Sequence, residues 1–223
     1  ELTPQWSGRL ALQHYKSDGF FDNQWLGASD TNERDELTGR ASLSYSNDRQ
    51  RLEIGVYRFD IDNGYDAFSL DNTRDTLSDQ PGRDRAQTDA ARLRWDWSGD
   101  LHYTLQLSHA ESDTEYSYDE DWSYVGIAPG WEYSSFDQYR RDRTMSSLEG
   151  RIQRDTSSGS WVVGTYLRNE KESLRRDYTY LDGPFTSDLS IETAALFGQF
   201  TADLTQTFSA YIGARLEYRG SDY

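Results

Sequence analysis

The densest set of recognition side chains lies between residues 110 and 142. Tyr116, Tyr118, Trp122, Tyr124, Trp131, Tyr133, Phe136 and Tyr139 are followed directly by Arg140 and Arg141. Aromatic rings give a large contact area at little entropic cost, and arginine adds bidentate contacts to negative charge. This combination suits a bulky, planar, anionic ligand such as a ferric catecholate. The competing account is a long hairpin whose aromatics pack on one another. Glu111, Asp113, Glu115, Asp119, Glu120 and Asp121 in the same segment would repel an anion and attract divalent cations.

Other candidate chemistry is sparser. Asp60, Asp62, Asp66 and Asp71 surround Asn63-Gly64. Oxygens at such spacing suit Ca²⁺, but the spacing departs from an EF-hand loop, and a solvated Asx-type turn is the alternative. His14, His102 and His109 form no spaced metal motif with their neighbours. Ser108 and His109 are adjacent, so on a strand they face opposite ways and cannot act as a pair. There is no G-x-S-x-G elbow, H-E-x-x-H or phosphate loop. No catalytic residue, metal or cofactor is expected, and the chain does not read as an enzyme.

The elements that would carry these residues follow from composition and pattern. The chain is 35% hydrophobic, carries a net charge of −16 and has no Cys; its mean hydropathy is −0.92. Low hydrophobicity and high charge lean towards disorder, but 14% aromatic content argues against it. Disulfides and thiolate metal sites are excluded. No apolar run of about 18 residues occurs, so no transmembrane helix is expected. The acidic balance argues against a nucleic-acid partner.

Nine strands of about ten residues are expected, at 5–15, 37–45, 51–60, 87–97, 101–109, 143–153, 160–170, 189–202 and 207–218. Most alternate with period two. Leu101, Tyr103, Leu105 and Leu107 oppose His102, Thr104, Gln106 and Ser108. His109 then falls on the apolar face near its outer rim. Short turns at 46–50, 98–100, 154–159 and 203–206 alternate with long polar segments at 16–36, 61–86, 110–142 and 171–188. Up-and-down transmembrane barrels show this alternation of short inner turns and long outer loops.

Each short turn has an aromatic residue beside it on the apolar face: Tyr45, Trp97, Trp161 and Phe208. An aromatic girdle at one membrane interface requires this arrangement. Ten residues at about 3.3 Å each, tilted by about 45°, rise roughly 23 Å, the height of an outer-membrane apolar band. The opposite face bears Arg9, Arg40, Glu53, Arg92, Arg94, Asp96, Glu149, Arg151, Arg168, Arg215 and Glu217. A dry core cannot hold so many charges, whereas a wet lumen can. The apolar face is therefore expected to meet lipid, with a soluble sheet wet on one side as the structural alternative.

An odd number of strands does not close a bacterial barrel, and open edges are not tolerated in lipid. The expectation is one partial barrel domain over 1–223, an interior piece of a larger barrel.

The stretch ALFGQFTADLTQTFSAYIGARLEY, residues 195–218, resembles the strand–turn–strand that recurs in TonB-dependent outer-membrane receptors, and FDIDNGYDAFSLDNTRDTLSDQPGRDRAQTDAARLRWDW, residues 59–97, resembles an outer loop and returning strand of that family. The resemblance implies an all-β, antiparallel, 22-stranded barrel with an N-terminal plug domain outside this sequence. It implies uptake of a scarce nutrient, foremost a ferric siderophore, powered by the TonB complex acting through the plug. It also implies a bacterial outer-membrane location in contact with lipid and lipopolysaccharide. A plug-free porin-like channel and a soluble β-rich carbohydrate-binding module are the rival functional readings.

Overall fold

The structure, a computed structural model, describes residues 3–223. The described residues form twelve strands and no helix: β1 (Trp6–Ser17), β2 (Phe21–Asn23), β3 (Ala28–Thr31), β4 (Arg34–Ser46), β5 (Gln50–Tyr65), β6 (Asp75–Thr76), β7 (Gly82–Ser98), β8 (His102–Asp119), β9 (Phe136–Thr156), β10 (Gly159–Tyr178), β11 (Phe185–Asp203) and β12 (Ser209–Asp222). The nine long strands make one sheet in the order β1-β4-β5-β7-β8-β9-β10-β11-β12. Every neighbouring pair is antiparallel, as expected where tight turns join successive strands. The short strands form a second sheet, β3-β2-β6, at the long-connection end.

The register assigns every side chain to a face, because direct cross-strand partners lie on the same side. One unbroken row crosses all nine strands: Gly8, Leu43, Ile54, Leu93, Leu107, Leu148, Leu167, Ala194 and Tyr218. The row beside it on the same face begins Trp6, Tyr45, Leu52, Trp95 and Leu105. On the other face Glu53, Arg94, Gln106, Glu149, Tyr166, Ala195 and Glu217 pair in sequence. One face is thus apolar near the short turns and the other is charged, as the alternation requires.

No hydrophobic core lies between these faces. Ala195 is the one buried hydrophobic residue among those described, while Leu10, Leu12, Ile212 and Leu216 are each about 70% exposed or more. The accessible area is 14777 Å². A compact soluble monomer of 25.8 kDa would expose about 10500 Å². A soluble fold would have buried these aliphatics against a second layer. A concavity of about 790 Å³ lies along this apolar face beside Ile54, Leu93, Leu107, Leu167 and Tyr218. It is a groove between side-chain rows.

All nine expected long strands are present, but several run further than the sequence pattern indicates. β8 continues to Asp119 instead of ending at 109, β9 begins at Phe136 instead of 143, and β10 reaches Tyr178 instead of 170. The long polar segments shrink accordingly to 18–33, 66–81, 120–135 and 179–184. Tyr116, Tyr118, Tyr139, Arg140 and Arg141 therefore belong to strands and not to a loop. The reason is a change of polarity along β5, β8, β10 and β11. In β5, Leu52, Ile54 and Val56 share the apolar face, and beyond them Tyr57, Phe59 and Ile61 stand on the opposite one. The apolar positions cross from one face to the other, which breaks the alternation while the backbone ladder continues.

Candidate functional site

The polar face has two zones. Near the short turns, charged residues two positions apart on one strand pair with each other. Arg51 meets Glu53 at 3.2 Å, and Arg94 donates to both oxygens of Asp96 at 2.8 and 2.9 Å. Arg151 pairs with Glu149 and Arg168 with Glu170, which Arg143 also reaches from the neighbouring strand β9. Arg215 donates from Nε to Glu217 at 2.8 Å and lies over the Tyr166 and Phe197 rings. Successive same-face residues of a strand are close enough for such pairs. A lattice of this kind needs water or polar contacts above it, since dry ion pairs barely repay their desolvation.

The second zone begins where the polarity crosses over. Tyr116 on β8 is paired with Tyr139 on β9, which is paired with Arg176 on β10. The next row is Tyr118, Asp137 and Tyr178. Asp137 is 1% exposed and is the hub. It accepts from Arg176 Nε at 2.9 Å and Nη2 at 2.7 Å, and from the hydroxyl of Tyr139 at 3.0 Å. Burial works against its charge, but the Arg176 and Tyr139 hydrogen bonds outweigh it and hold the carboxyl below the usual range. Burial also pushes the Tyr116, Tyr118 and Tyr139 phenols up, so they remain neutral donors. Arg176 lies 5.0 Å from the Tyr139 ring centroid and Arg141 5.4 Å. Asp137 neutralises Arg176, whereas Arg141 has no ion-pair partner among the described residues. The patch therefore offers aromatic faces and one available cation.

The outer connections interlock above this patch. Trp25 stacks on Tyr124 at 3.9 Å, and Phe68 stacks on Trp122 at 4.7 Å. Tyr65 packs against both Tyr116 and Phe68. Buried Asn23 donates to Asp66 at 3.0 Å and to the Ser78 carbonyl at 2.9 Å, tying 18–33 to 66–81. Gln80 reaches Ser134 at 2.5 Å. These segments form one packed cap, tied together by stacked rings and hydrogen bonds between connections.

The structure separates the expected site residues into four groups. Tyr116, Tyr118, Tyr139 and Arg141 converge on the polar face. Trp122 and Tyr124 pack between segments of the cap, while Trp131 and Tyr133 stack on each other at the surface, each 41% exposed. Arg140 stands on the opposite face, beside Glu115 and Arg175. Asp137, Arg176 and Tyr178 were missed. Their signal was the alternation Asp137, Tyr139, Arg141 and Leu174, Arg176, Tyr178, hidden because both segments read as loop. The Asp60–Asp71 group disperses: Asp60 meets Arg58 at 3.0 Å, Asp62 meets Arg85 at 2.5 Å, and Asp66 accepts from Asn23 and Thr76. Asp71 accepts from the Thr73 backbone at 3.2 Å, as the Asx-turn account requires. The histidines also lie apart. His14 reaches Asp35 at 2.8 Å, and His109 bonds Ser146 at 2.8 Å and Glu111 at 3.2 Å.

No family model and no curated protein sequence matches the chain. Solved structures do match. The ferric yersiniabactin uptake receptor FyuA from Yersinia pestis superposes with a TM-score of 0.74 at 19% identity, over 97% of this chain and 35% of that one. The copper transporter OprC gives 0.63 at 14% identity, over 97% and 33%. A chain of the FpvAI–pyocin S2 complex gives 0.69 at 14% identity, over 99% and 33%. The chain thus spans about a third of the length of these structures. It has the fold of a TonB-dependent-receptor barrel wall, an antiparallel segment of a large transmembrane barrel. In that fold the apolar face looks to lipid and the charged face to the lumen.

Proposed function

We propose that the chain is wall of an outer-membrane TonB-dependent receptor that takes up a ferric siderophore. The observation that carries the reading is the lumen patch of Tyr116, Tyr118, Tyr139 and Arg141, organised around the Arg176–Asp137 pair. Its rings suit planar ligand groups, and Arg141 adds charge for an anionic one. On this reading residues 1–223 are one partial barrel domain, and the plug that engages the TonB complex lies elsewhere in the protein. Tyr45, Trp97 and Trp161, in register with the apolar face, and Phe208, in the turn one residue before β12, form the girdle at the short-turn interface on this reading. The charged positions above the apolar band then meet lipopolysaccharide.

The test is uptake of a ⁵⁵Fe-labelled ferric catecholate by cells whose sole route is the intact protein. Tyr139→Ala with Arg141→Ala should lower uptake strongly while heat-modifiable migration, the sign of a folded barrel, is kept. Uptake at the unsubstituted rate would remove the patch from ligand binding. Deleting 121–134 is the matching loop test, because a cut from 112 to 138 would sever β8 and β9.

A further inference from the structure

Three aspartates of the cap share an arrangement that no protein contact explains. Asp119 ends β8, Asp121 follows in the 120–135 connection, and Asp79 comes from the 66–81 connection. Each uses one carboxylate oxygen on a backbone N–H. Asp121 N donates to Asp119 Oδ1 at 3.2 Å, Ser123 N to Asp121 Oδ1 at 3.2 Å, and Val125 N to Asp79 Oδ2 at 3.4 Å. In each, the second oxygen is buried without a partner. Asp119 is 4% exposed, so its free oxygen Oδ2 is shut off from bulk water.

A buried carboxylate oxygen without a donor is costly, and several together are costlier. Burial pushes the Asp119 carboxyl up to about 7, with Asp121 beside it and Asp79 nearby adding to the push, while the Ser78 hydroxyl opposes it. The charged groups facing Asp119 are therefore acidic, on its own connection and on the one packed against it. Asp119 also lines a cavity of about 10 Å³ shared with Asp66, Ser78, Phe68 and Trp122. That volume is about that of one water, and Asp79 and Asp121 lie outside its lining. No group of three acidic or histidine side chains is preassembled for a metal among the described residues. Asp119 and Asp121 are already in contact, and Asp79 is the third donor that has to close in.

We infer that Asp119 and Asp121, joined by Asp79 from the facing connection, bind a divalent cation of the Ca²⁺ class that locks segment 120–135 to segment 66–81. Carboxylate and hydroxyl oxygens in irregular geometry suit Ca²⁺, whereas Mg²⁺ demands near-ideal octahedral coordination. The backbone bond from Asp79 N to the Ser123 carbonyl at 3.0 Å already joins the two segments at this point. Asp119 is one residue beyond Tyr118, and Trp122 stacks on Phe68, so the lock would fix the cap over the lumen patch. The inference rests on the cap alone and holds whichever ligand the lumen takes.

The test is hydrogen exchange of the intact protein in detergent, freed of lipopolysaccharide and stripped with a chelator, then titrated with CaCl₂ at pH 7.5. Affinity in the range of about 0.1–1 mM is expected of an extracellular site. At ten times Kd, opening of 66–81 and 120–135 should slow about tenfold. Asp119→Asn removes one of the crowded charges. It should raise metal-free protection of both segments and abolish their response to Ca²⁺, while Asp75→Asn should leave that response intact. Unchanged exchange on adding Ca²⁺, or an equal response in Asp119→Asn, would overturn the inference. Protection that tracks pH through 7 and ignores Ca²⁺ would also overturn it, assigning the pair a shared proton.

Discussion

The two ends of strand β8 obey opposite rules. From His102 to His109, Tyr103, Leu105 and Leu107 lie on the apolar face, while Thr104, Gln106 and Ser108 lie on the polar one. From Ala110 to Asp119 the phase reverses: Glu111, Asp113 and Glu115 face outward, and Tyr116 and Tyr118 face inward. β5, β10 and β11 repeat the reversal, with Tyr57 and Phe59, Leu174 and Tyr178, and Phe185, Leu189 and Ile191 on the inner side. A strand in lipid must put its apolar residues outside. Beyond the lipid, water surrounds the outer face, and apolar groups are useful only where something else covers them. The crossover marks the level at which apolar side chains leave the face next to the short turns and move to the opposite one.

The sharpest break in this comparison is a charge in the lipid half. Leu107→Arg should cost about 2–4 kcal/mol in vesicle refolding titrations, the range for arginine at mid-bilayer, whereas Gln106→Arg next to it should change stability little. Equal losses for both would mean that the faces have been assigned wrongly.

In the outer half the large effect should sit on the inner face instead. Arg176→Ala leaves Asp137 buried and uncompensated. With the Arg176 side chain 33% exposed, the cost should be about 2–3 kcal/mol in denaturant unfolding, below that of a fully buried pair. Arg175→Ala, one residue away on the outer face, removes an exposed pair with Asp177 and should leave unfolding unchanged. If Arg175 proved the costlier position, Asp137 would not be the hub.

The smallest expected effect is that of pH. The folded carboxyl of Asp137 is depressed, so its stabilisation is complete above the unfolded value of about 3.9 and is lost only as pH falls through the folded one. Near-ultraviolet circular dichroism of the tyrosine patch should therefore stay flat from pH 8 to pH 5. A transition inside that window that survives in Asp119→Asn would contradict the Arg176–Asp137 geometry.

The sequence by itself determined the nine long strands, their antiparallel order, the short–long alternation and the apolar face. Period-two patterning is a local property, and one-sided burial in lipid writes it directly into residues such as Leu101 to Ser108. Only the tertiary structure decided where those strands end. Above the band neither face needs aliphatic residues, so the alternation in 110–119 and 136–142 carries no aliphatic stripe and reads as loop, though the backbone ladder holds both as strand. Tertiary structure also decided which aromatics share a patch. Tyr116, Tyr139 and Arg176 become neighbours through pairings of strands distant in sequence, and Trp25 finds Tyr124 only because two connections fold over the same end of the sheet. Hydrophobic pattern reports what solvent each face meets, while cross-strand register decides which side chains meet each other.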